Sequence, residues 1–319
     1  MNLLPESDQT DKRPTKIALQ EILKVFITLL ERSLALAMAH QGTLFRTGWA
    51  YILVLAALNF ALGSALTPSS GFTTVSYMTE PVAEADQGGL RLLALLANGL
   101  IGFSIAIAYV RRILIDARDF PLLLSRRALN VIVNQIVLSL IGLIALIPLA
   151  ILSALLTMIT GGLGFLLLLT APFISLMVVQ KFSVILPATA VDDPMTWKDS
   201  WRATRGLGWP MAFSALVMSL LAGSLVGLWY LLLAGMGALT TGDPVLEQIR
   251  STLFPMGSTL LIVWVFASLH ATFYGLIRER FAARLGLTPE TYEKADTSHE
   301  AARQKADRAL AAVRKMTKK

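Results

Sequence analysis

Few residues in this sequence could carry acid–base or metal chemistry. The chain has three histidines, His40, His270 and His299, and no cysteine, which excludes disulfides and thiolate metal sites. Asp192 and Asp193 form an acidic pair in front of Pro194. No HExxH, P-loop or GxSxG motif is present. We therefore expect no catalytic residue, no metal ligand and no cofactor, and we interpret the chain as a non-enzymatic protein.

Both chemical candidates have a structural alternative. His270 lies in an apolar segment, where an ionisable group is a functional hypothesis by default. No Asp, Glu or Lys lies at a similar depth, which favours a hydrogen-bonded packing histidine over a ligand or proton relay. The acidic pair could bind a cation or accept hydrogen bonds from Arg202 or Arg205. A turn and cap before Thr196 is the favoured interpretation.

Side-chain amides inside the apolar segments form a further candidate site. Such groups hydrogen-bond between helices, with contributions of about 0.6–2 kcal/mol each. Asn134 and Gln135 lie near the end of one segment and could line a pocket of headgroup size. The predicted polar pocket comprises Asn98, Asn134, Gln135, Gln180 and His270. Ordinary packing between helices is the default alternative.

Residues 181–210 carry the strongest pattern in the chain. Thr196 can cap a helix, and Asp199 follows at the spacing of a capping box. Trp197 and Trp201 are one helical turn apart and face the same side. Paired tryptophans with neighbouring cations are typical of the lipid–water interface. The predicted interfacial elbow comprises Trp197, Trp201, Arg202, Arg205 and Trp209.

The composition places these residues in a membrane protein. The chain is 55% hydrophobic and 15% charged, with a mean hydropathy of +0.63. Soluble domains carry about 25% charged residues. The net charge of +7 is concentrated between and after the apolar runs. This distribution favours a membrane surface over nucleic acid as the partner.

Six apolar segments reach the roughly 20 residues that cross a bilayer. They lie near 48–66, 90–110, 131–157, 163–186, 211–236 and 254–277, and the third and fourth meet at a tight turn at Gly161, Gly162 and Gly164. The predicted fold is an all-α polytopic membrane protein with three hairpins and cytoplasmic amphipathic elbow helices. Its predicted parts are a disordered tail at 1–15, a membrane domain at 16–280 and a basic helical cytoplasmic tail at 281–319.

Residues 16–39 have the periodicity of an amphipathic helix. Four charges interrupt its apolar face, and each costs about 2.5–3.5 kcal/mol at the centre of a membrane span. The segment is therefore not counted as a span. Two alternatives stay open: a helix lying in the membrane interface, and a helix packed on the cytoplasmic side of the protein itself.

Lys and Arg predict the orientation. The loops at 67–89, 158–162 and 237–253 have almost none, whereas the linkers at 111–130 and 187–210 are rich in them. By the positive-inside rule both termini are cytoplasmic. Three elbow-plus-hairpin units are also indicated, beginning at 16–39, 113–127 and 196–205. The alternative is that Arg and Trp mark entry points in any polytopic protein.

The fifth segment has a stripe of small residues spaced four apart. The stripe is Ala215, Ser219, Gly223 and Gly227, and it includes a GxxxG match. Small residues let two helix backbones approach closely. The predicted partner is another helix of this chain, with a helix of a second copy as the alternative.

The stretches 182–188 and 199–206 also resemble a known group. The first is an apolar span that ends in Pro187, and the second reads Ser200-Trp201-Arg202-Ala203-Thr204-Arg205-Gly206. This pattern resembles the "S-W-x-x-T-x-G" elbow in the membrane domain of glycerophosphoryl diester phosphodiesterases and YciC-type bacterial inner-membrane proteins. The resemblance implies six helices and a bacterial inner membrane. The phosphodiesterase catalytic domain has no counterpart here, so its activity does not carry over.

The predicted function is to bind lipid or a membrane partner and so to organise membrane composition or shape. The expected partners are anionic headgroups on the cytoplasmic face and a protein partner or homo-oligomer in the membrane, with no nucleic acid. Two alternatives stay open: a subunit or assembly factor of a larger membrane complex, and a small-solute transporter.

Overall fold

The apolar segments fold into helices, which satisfy the backbone polar groups of their interiors without water. The structure, a computed structural model, describes residues 15–66, 85–117, 125–160, 164–193, 195–239 and 243–284. Gly161 and Gly162 of the predicted glycine turn, nearly all of the predicted N-terminal tail and most of the predicted C-terminal tail lie outside these residues.

Nine helices and no strand occur within the described residues. They are α1 (Thr15–Ala39), α2 (Gln41–Leu66), α3 (Ala85–Ile115), α4 (Arg126–Thr160), α5 (Gly164–Ser183), α6 (Ile185–Ala190), α7 (Trp197–Ala203), α8 (Gly208–Leu239) and α9 (Pro244–Arg284).

Six stretches are long and apolar enough to cross a membrane, which confirms the predicted all-α class and a multi-pass membrane protein. They are Gln41–Ala61, Leu92–Ile115, Arg126–Thr160, Thr170–Ala190, Gly208–Met236 and Val245–Arg280. The first begins at Gln41 rather than at 48, because Gly48 and Trp49 lie inside α2 rather than at its start.

Side chains join the spanning helices into three antiparallel pairs in the predicted order. The joining hydrogen bonds run from Asn59 to Asn98 (2.8 Å), from Ser175 to the carbonyl of Gly142 (2.8 Å) and from Trp229 to the carbonyl of Leu253 (3.1 Å). They link α2 with α3, α4 with α5, and α8 with α9. Gly142 and Gly257 allow two of these close approaches, since an added Cβ would lie 2.8 Å from Val179 and 2.4 Å from Trp229.

Helix α3 lies at the centre of the packing. Tyr109 is fully buried, and its hydroxyl lies 3.1 Å from that of Ser268 in α9. Gly102 of α3 lies close to Thr259 of α9, and Ile105 packs beside Gly48 of α2. These contacts at Gly102, Ile105 and Tyr109 hold α3 against α2 and α9.

Helix α1 is packed on the protein. Phe26 contacts the ring of Phe213 in α8 edge to face, with 6.4 Å between centroids, and the indole of Trp264 donates to the carbonyl of Ala37 over 2.9 Å. Further along both helices, Met38 and Leu225 line one apolar crevice. Helix α1 thus runs beside the first half of α8 in the same direction. Helix α1 therefore packs along a candidate spanning helix, an arrangement that neither alternative for residues 16–39 included.

The three predicted elbows differ from one another. The first is the 25-residue helix α1, and the third is the seven-residue helix α7. Within 113–127, α3 ends at Ile115 and α4 begins at Arg126, and the residues described between them are not helical. Much of the second predicted elbow lies outside the described residues, so the threefold repeat stays a prediction.

The chain divides into two compact units, Met1–Phe273 and Tyr274–Lys319. The described part of the second unit is the last part of α9. There the guanidinium of Arg278 lies 5.6 Å from the ring centroid of Tyr274, one turn away. All sites described below belong to the first unit.

Candidate functional site

Helix α7 begins with the predicted capping box. The backbone N–H of Asp199 donates to the Thr196 hydroxyl over 3.2 Å, and the backbone N–H of Thr196 donates to the Asp199 carboxylate over 3.3 Å. The Thr196 hydroxyl also donates to that carboxylate, which holds the pKa of Asp199 below its ordinary value. A helix of only seven residues needs such a cap, because most of its backbone N–H groups lack a helical partner.

Two buried hydroxyls fix α7 to the end of α5. Ser200 donates to the carbonyl of Lys181 over 2.8 Å, and the Thr204 hydroxyl lies 3.2 Å from the same carbonyl and 2.8 Å from that of Ser200. That carbonyl lies in the last turn of α5, where helix carbonyls need a partner from outside the helix. Gly206 follows with φ +81°, a left-handed conformation that favours glycine. These contacts give a physical reason for the serine, threonine and glycine of the elbow pattern.

The tryptophans of α7 pack on α5. Trp197 and Trp201 both contact Phe182, with ring centroids 5.6 and 5.3 Å away. The ammonium of Lys181 lies 4.0 Å from the centroid of Trp201, a cation–π contact. Trp201 is nevertheless 43% exposed. Trp201 is thus held by Phe182 and Lys181 while part of its surface stays exposed, and Trp197 is partly buried against the core.

The rest of the elbow is a surface of rings and cations. Trp209 stacks on Phe213, with 5.8 Å between centroids, and both rings are 42% exposed. Arg202 and Arg205 are exposed beside them. All five predicted elbow residues thus lie on residues 197–209 around the start of α8. Exposed rings beside cations have the character of a lipid–water interface.

Asp192 binds arginines from two other helices. Arg127 of α4 makes a two-pronged contact with its carboxylate, with Nε 2.7 Å from Oδ1, and Arg111 of α3 donates to Oδ2 over 3.1 Å. Arg111 also donates to the carbonyl of Ala190 over 2.8 Å, and its side chain is only 8% exposed. We call Arg111, Arg127 and Asp192 the arginine–aspartate cluster. The predicted alternative partners of the acidic pair, Arg202 and Arg205, are not the ones that Asp192 binds.

The cluster sets the charge state of Asp192. The hydrogen bonds from Arg127 hold the pKa of the Asp192 carboxyl below its ordinary value, with a smaller contribution from Arg111. Asp192 also has φ +61°, an uncommon conformation for a residue other than glycine. The backbone strain and the ion pairs together indicate that this turn is built to present the carboxylate to the two arginines.

A polar groove opens beside this cluster. Its volume is about 470 Å³, and its lining residues are Asn130, Val133, Asn134, Thr189, Asp192, Asp193 and Met195. Within it the Asn134 amide donates to the Thr189 hydroxyl over 3.0 Å, which joins α4 to α6. Thr189 lies at the end of the span Thr170–Ala190, so the groove lies where headgroups are expected.

The other members of the predicted polar pocket lie elsewhere. Asn98 pairs with Asn59 through two amide hydrogen bonds of 2.8 and 3.1 Å. The Gln180 side chain accepts from Ser183 over 3.0 Å. Gln135 and His270 do not line the groove, and the imidazole of His270 contacts the rings of Phe266 and Phe273. Asn134 is thus the one predicted pocket residue that lines the groove. Among the described residues no group of three or more acidic or histidine side chains could hold a metal.

The small-residue stripe of α8 is mostly exposed. Ala215 is buried, whereas Ser219, Gly223 and Gly227 are exposed. A Cβ added at either glycine would meet no atom within 4 Å among the described residues. The partner within this chain that the pattern predicted is therefore not found at Gly223 or Gly227 in this part of the chain.

The residues that sequence reasoning missed are Arg111, Arg127 and Thr189 as site residues. Their contacts with Asp192 and Asn134 join residues 81, 65 and 55 positions apart, so no local spacing reports them. The available signal was the placement of arginines at the ends of two apolar segments, next to an acidic pair at the end of a third.

No protein-family model, no curated protein and no solved structure matches the chain. The resemblance to the YciC-type group stays a prediction that depends on the elbow pattern.

Proposed function

We propose that this protein is a non-enzymatic bacterial inner-membrane protein that binds anionic phospholipid through its elbow and organises lipid composition at the cytoplasmic face. The observation that carries the proposal is the elbow itself. Its helix is capped at Thr196 and fixed through Ser200 and Thr204 to α5, while Trp201, Arg202 and Arg205 stay exposed. A rigid helix that presents rings and cations to the surroundings is suited to lipid headgroups.

Lipid affinity of the full-length protein tests the proposal. Purified protein in mild detergent is titrated with phosphatidylglycerol and with phosphatidylcholine, and bound lipid is counted by native mass spectrometry. Each basic residue near a membrane surface contributes about 1 kcal/mol. The double variant Arg202→Gln/Arg205→Gln should therefore bind phosphatidylglycerol about thirtyfold more weakly.

Arg202→Lys/Arg205→Lys is the matched control, because it keeps both positive charges at the same exposed positions. We expect its affinity to stay within about twofold of the wild type. Equal binding of the two lipids by the wild type, or an unchanged Arg202→Gln/Arg205→Gln variant, would contradict the proposal.

The orientation can be tested by cysteine labelling, since the chain has no native cysteine. Lys198→Cys on α7 should react with an impermeant maleimide only after the cells are opened. Asp243→Cys, exposed before α9 at the other end of the α8–α9 hairpin, should react in intact cells. The reverse labelling would place the elbow outside the cytoplasm and would remove the positive-inside argument.

A subunit of a larger membrane complex is the second candidate function. The exposed faces of Gly223 and Gly227 on α8 favour it, because exposed small residues let a helix of another protein approach closely. Purification in mild detergent should then yield a stoichiometric companion, and Gly223→Leu should release it. Loss of the companion in both Gly223→Leu and Leu220→Ala would indicate a contact that does not depend on the glycines.

A further inference from the structure

The groove beside the arginine–aspartate cluster carries a more specific inference. The groove is open to the surroundings, with a volume of about 470 Å³. It is lined by two amides, a hydroxyl and two carboxylates, with Val133 and Met195 as its apolar members. A polar site of this size at the end of the spans calls for a polar ligand at headgroup depth.

Charged groups of both signs adjoin the groove. Asp192 and Asp193 line it, while the guanidinium groups of Arg111 and Arg127 lie behind the Asp192 carboxylate. A ligand with one charge of each sign matches such a site better than a purely anionic one, because like charges placed together are unfavourable.

The hydrogen-bonding groups point to an amine. The Asn134 amide nitrogen is committed to Thr189, so its carbonyl oxygen can accept a bond from a ligand. The carboxylates of Asp192 and Asp193 are acceptors as well. Thr189 accepts from Asn134 and can donate its own proton, for which a phosphate oxygen is a suitable acceptor. An ammonium with N–H donors and a phosphate would thus both find partners.

An apolar strip leads away from the groove along α4. Val133, Ile136 and Leu140 follow one another at helical spacing and are each 50–55% exposed. They lie within the span Arg126–Thr160, where an exposed apolar side chain faces lipid. This strip could carry an acyl chain whose headgroup lies in the groove, and it favours a lipid over a water-soluble ligand.

We propose that this groove binds the headgroup of a zwitterionic, amine-bearing phospholipid of the phosphatidylethanolamine type, with an acyl chain along Val133, Ile136 and Leu140. The groove is separate from the elbow. Its proposal rests on the proposed function in one respect only, namely that this end of the helices lies at the depth of the lipid headgroups.

The test uses the full-length protein in mild detergent, with bound lipid counted by native mass spectrometry. Phosphatidylethanolamine should bind at least tenfold more tightly than phosphatidylcholine, whose quaternary amine has no N–H donor. Val133→Trp should fill the groove and weaken phosphatidylethanolamine about tenfold. Ile144→Trp is the matched control at an equally lipid-exposed site on α4, away from the groove, and should leave the affinity within about twofold.

Two further arms separate the outcomes. Asp193→Asn should reduce the preference for phosphatidylethanolamine over phosphatidylcholine to about twofold. Soluble phosphoethanolamine should compete only weakly, and equally strong competition would assign the groove to a soluble phosphoamine instead. Arg202→Gln/Arg205→Gln should keep the preference, so a failure of the elbow proposal leaves this one testable. No preference in the wild type, or equal effects of the two tryptophan variants, would overturn the inference.

Discussion

The turn at Asp192 and the elbow that follows it are adjacent in the chain but use arginine in opposite ways. Around Asp192 the arginines come from distant helices, and Arg111 is buried with its charge paired. In the elbow, Arg202 on α7 and Arg205 in the turn after it are exposed, and neutral hydroxyls fix this segment to α5. The arginines around Asp192 therefore stabilise the fold, whereas Arg202 and Arg205 are available to bind groups outside the protein.

The comparison also separates two ways of holding a short segment. Asp192 connects α3, α4 and α6 through charge, and its loss would leave a buried guanidinium without its carboxylate. The elbow is held by the Lys181 carbonyl, which two hydroxyls approach, and by the packing of Trp197 and Trp201 on Phe182. We therefore expect substitutions at the two places to differ in how much stability they remove, in the pH dependence of that loss and in their effect on lipid affinity.

Asp192→Ala should have the largest effect on stability. Removing one partner of a buried ion pair costs about 3–5 kcal/mol. We expect about 2 kcal/mol from the lost pairing, because the Asp192 side chain is 55% exposed, and about 1 kcal/mol from its left-handed backbone. Asp116→Ala is a matched control, because Asp116 also has a positive φ and pairs with Arg112 at the surface. It should lose about 1 kcal/mol, mainly from the left-handed backbone. Equal losses in thermal or chemical unfolding of the two variants would show that the cluster adds nothing.

Ser200→Ala/Thr204→Val should have the next largest effect. Both hydroxyls are buried, and their loss leaves the Lys181 carbonyl without either of them. A buried group left without its partner costs about 1–3 kcal/mol, and we expect about 2 kcal/mol for the pair. Protease cleavage within 196–206 should also increase. Ser139→Ala, on an exposed serine that bonds only to its own helix, should change little, and an equal loss there would contradict the role of the elbow hydroxyls.

The elbow could be predicted from sequence because its signals are local. The capping box of Thr196 and Asp199 and the turn between Trp197 and Trp201 lie within six residues, and the structure has both features. The six apolar segments are local signals too. The predicted ends of these segments were less accurate. The first helix begins at Gln41 and not near residue 48, because hydropathy marks the apolar run and a helix can begin before that run.

The arginine–aspartate cluster could not be predicted, because it depends on which helix ends meet. Arg111 and Asp192 are 81 positions apart, and the acidic pair offered Arg202 and Arg205 as nearer partners. The α8 stripe failed for a related reason. Spacing identifies small residues on one face but does not tell whether that face meets a helix of this chain, and Gly223 meets none within the described residues.

A pH series on Asp192→Asn should sharpen the comparison further. Hydrogen bonds from Arg127 hold the pKa of Asp192 below its ordinary value of 3.8, so the ionised carboxylate stabilises the fold. This contribution is complete above the ordinary value and is lost as the pH falls through the lowered pKa. The stability difference between wild type and variant should therefore be constant above about pH 5 and shrink below about pH 3.8. A difference that grows on acidification would contradict the pairing.

Arg202→Gln/Arg205→Gln should have the smallest effect on stability. Both side chains are exposed, and substitutions at exposed sites usually change the free energy of unfolding by less than about 0.5 kcal/mol. The same variant should show the large loss of phosphatidylglycerol affinity described above. A variant that keeps its stability and loses lipid places these arginines outside the fold's own interactions, in contrast to Arg111. If unfolding in lipid-free detergent instead shifted as far as in Asp192→Ala, the elbow arginines would be structural, and the distinction between the two regions would not hold.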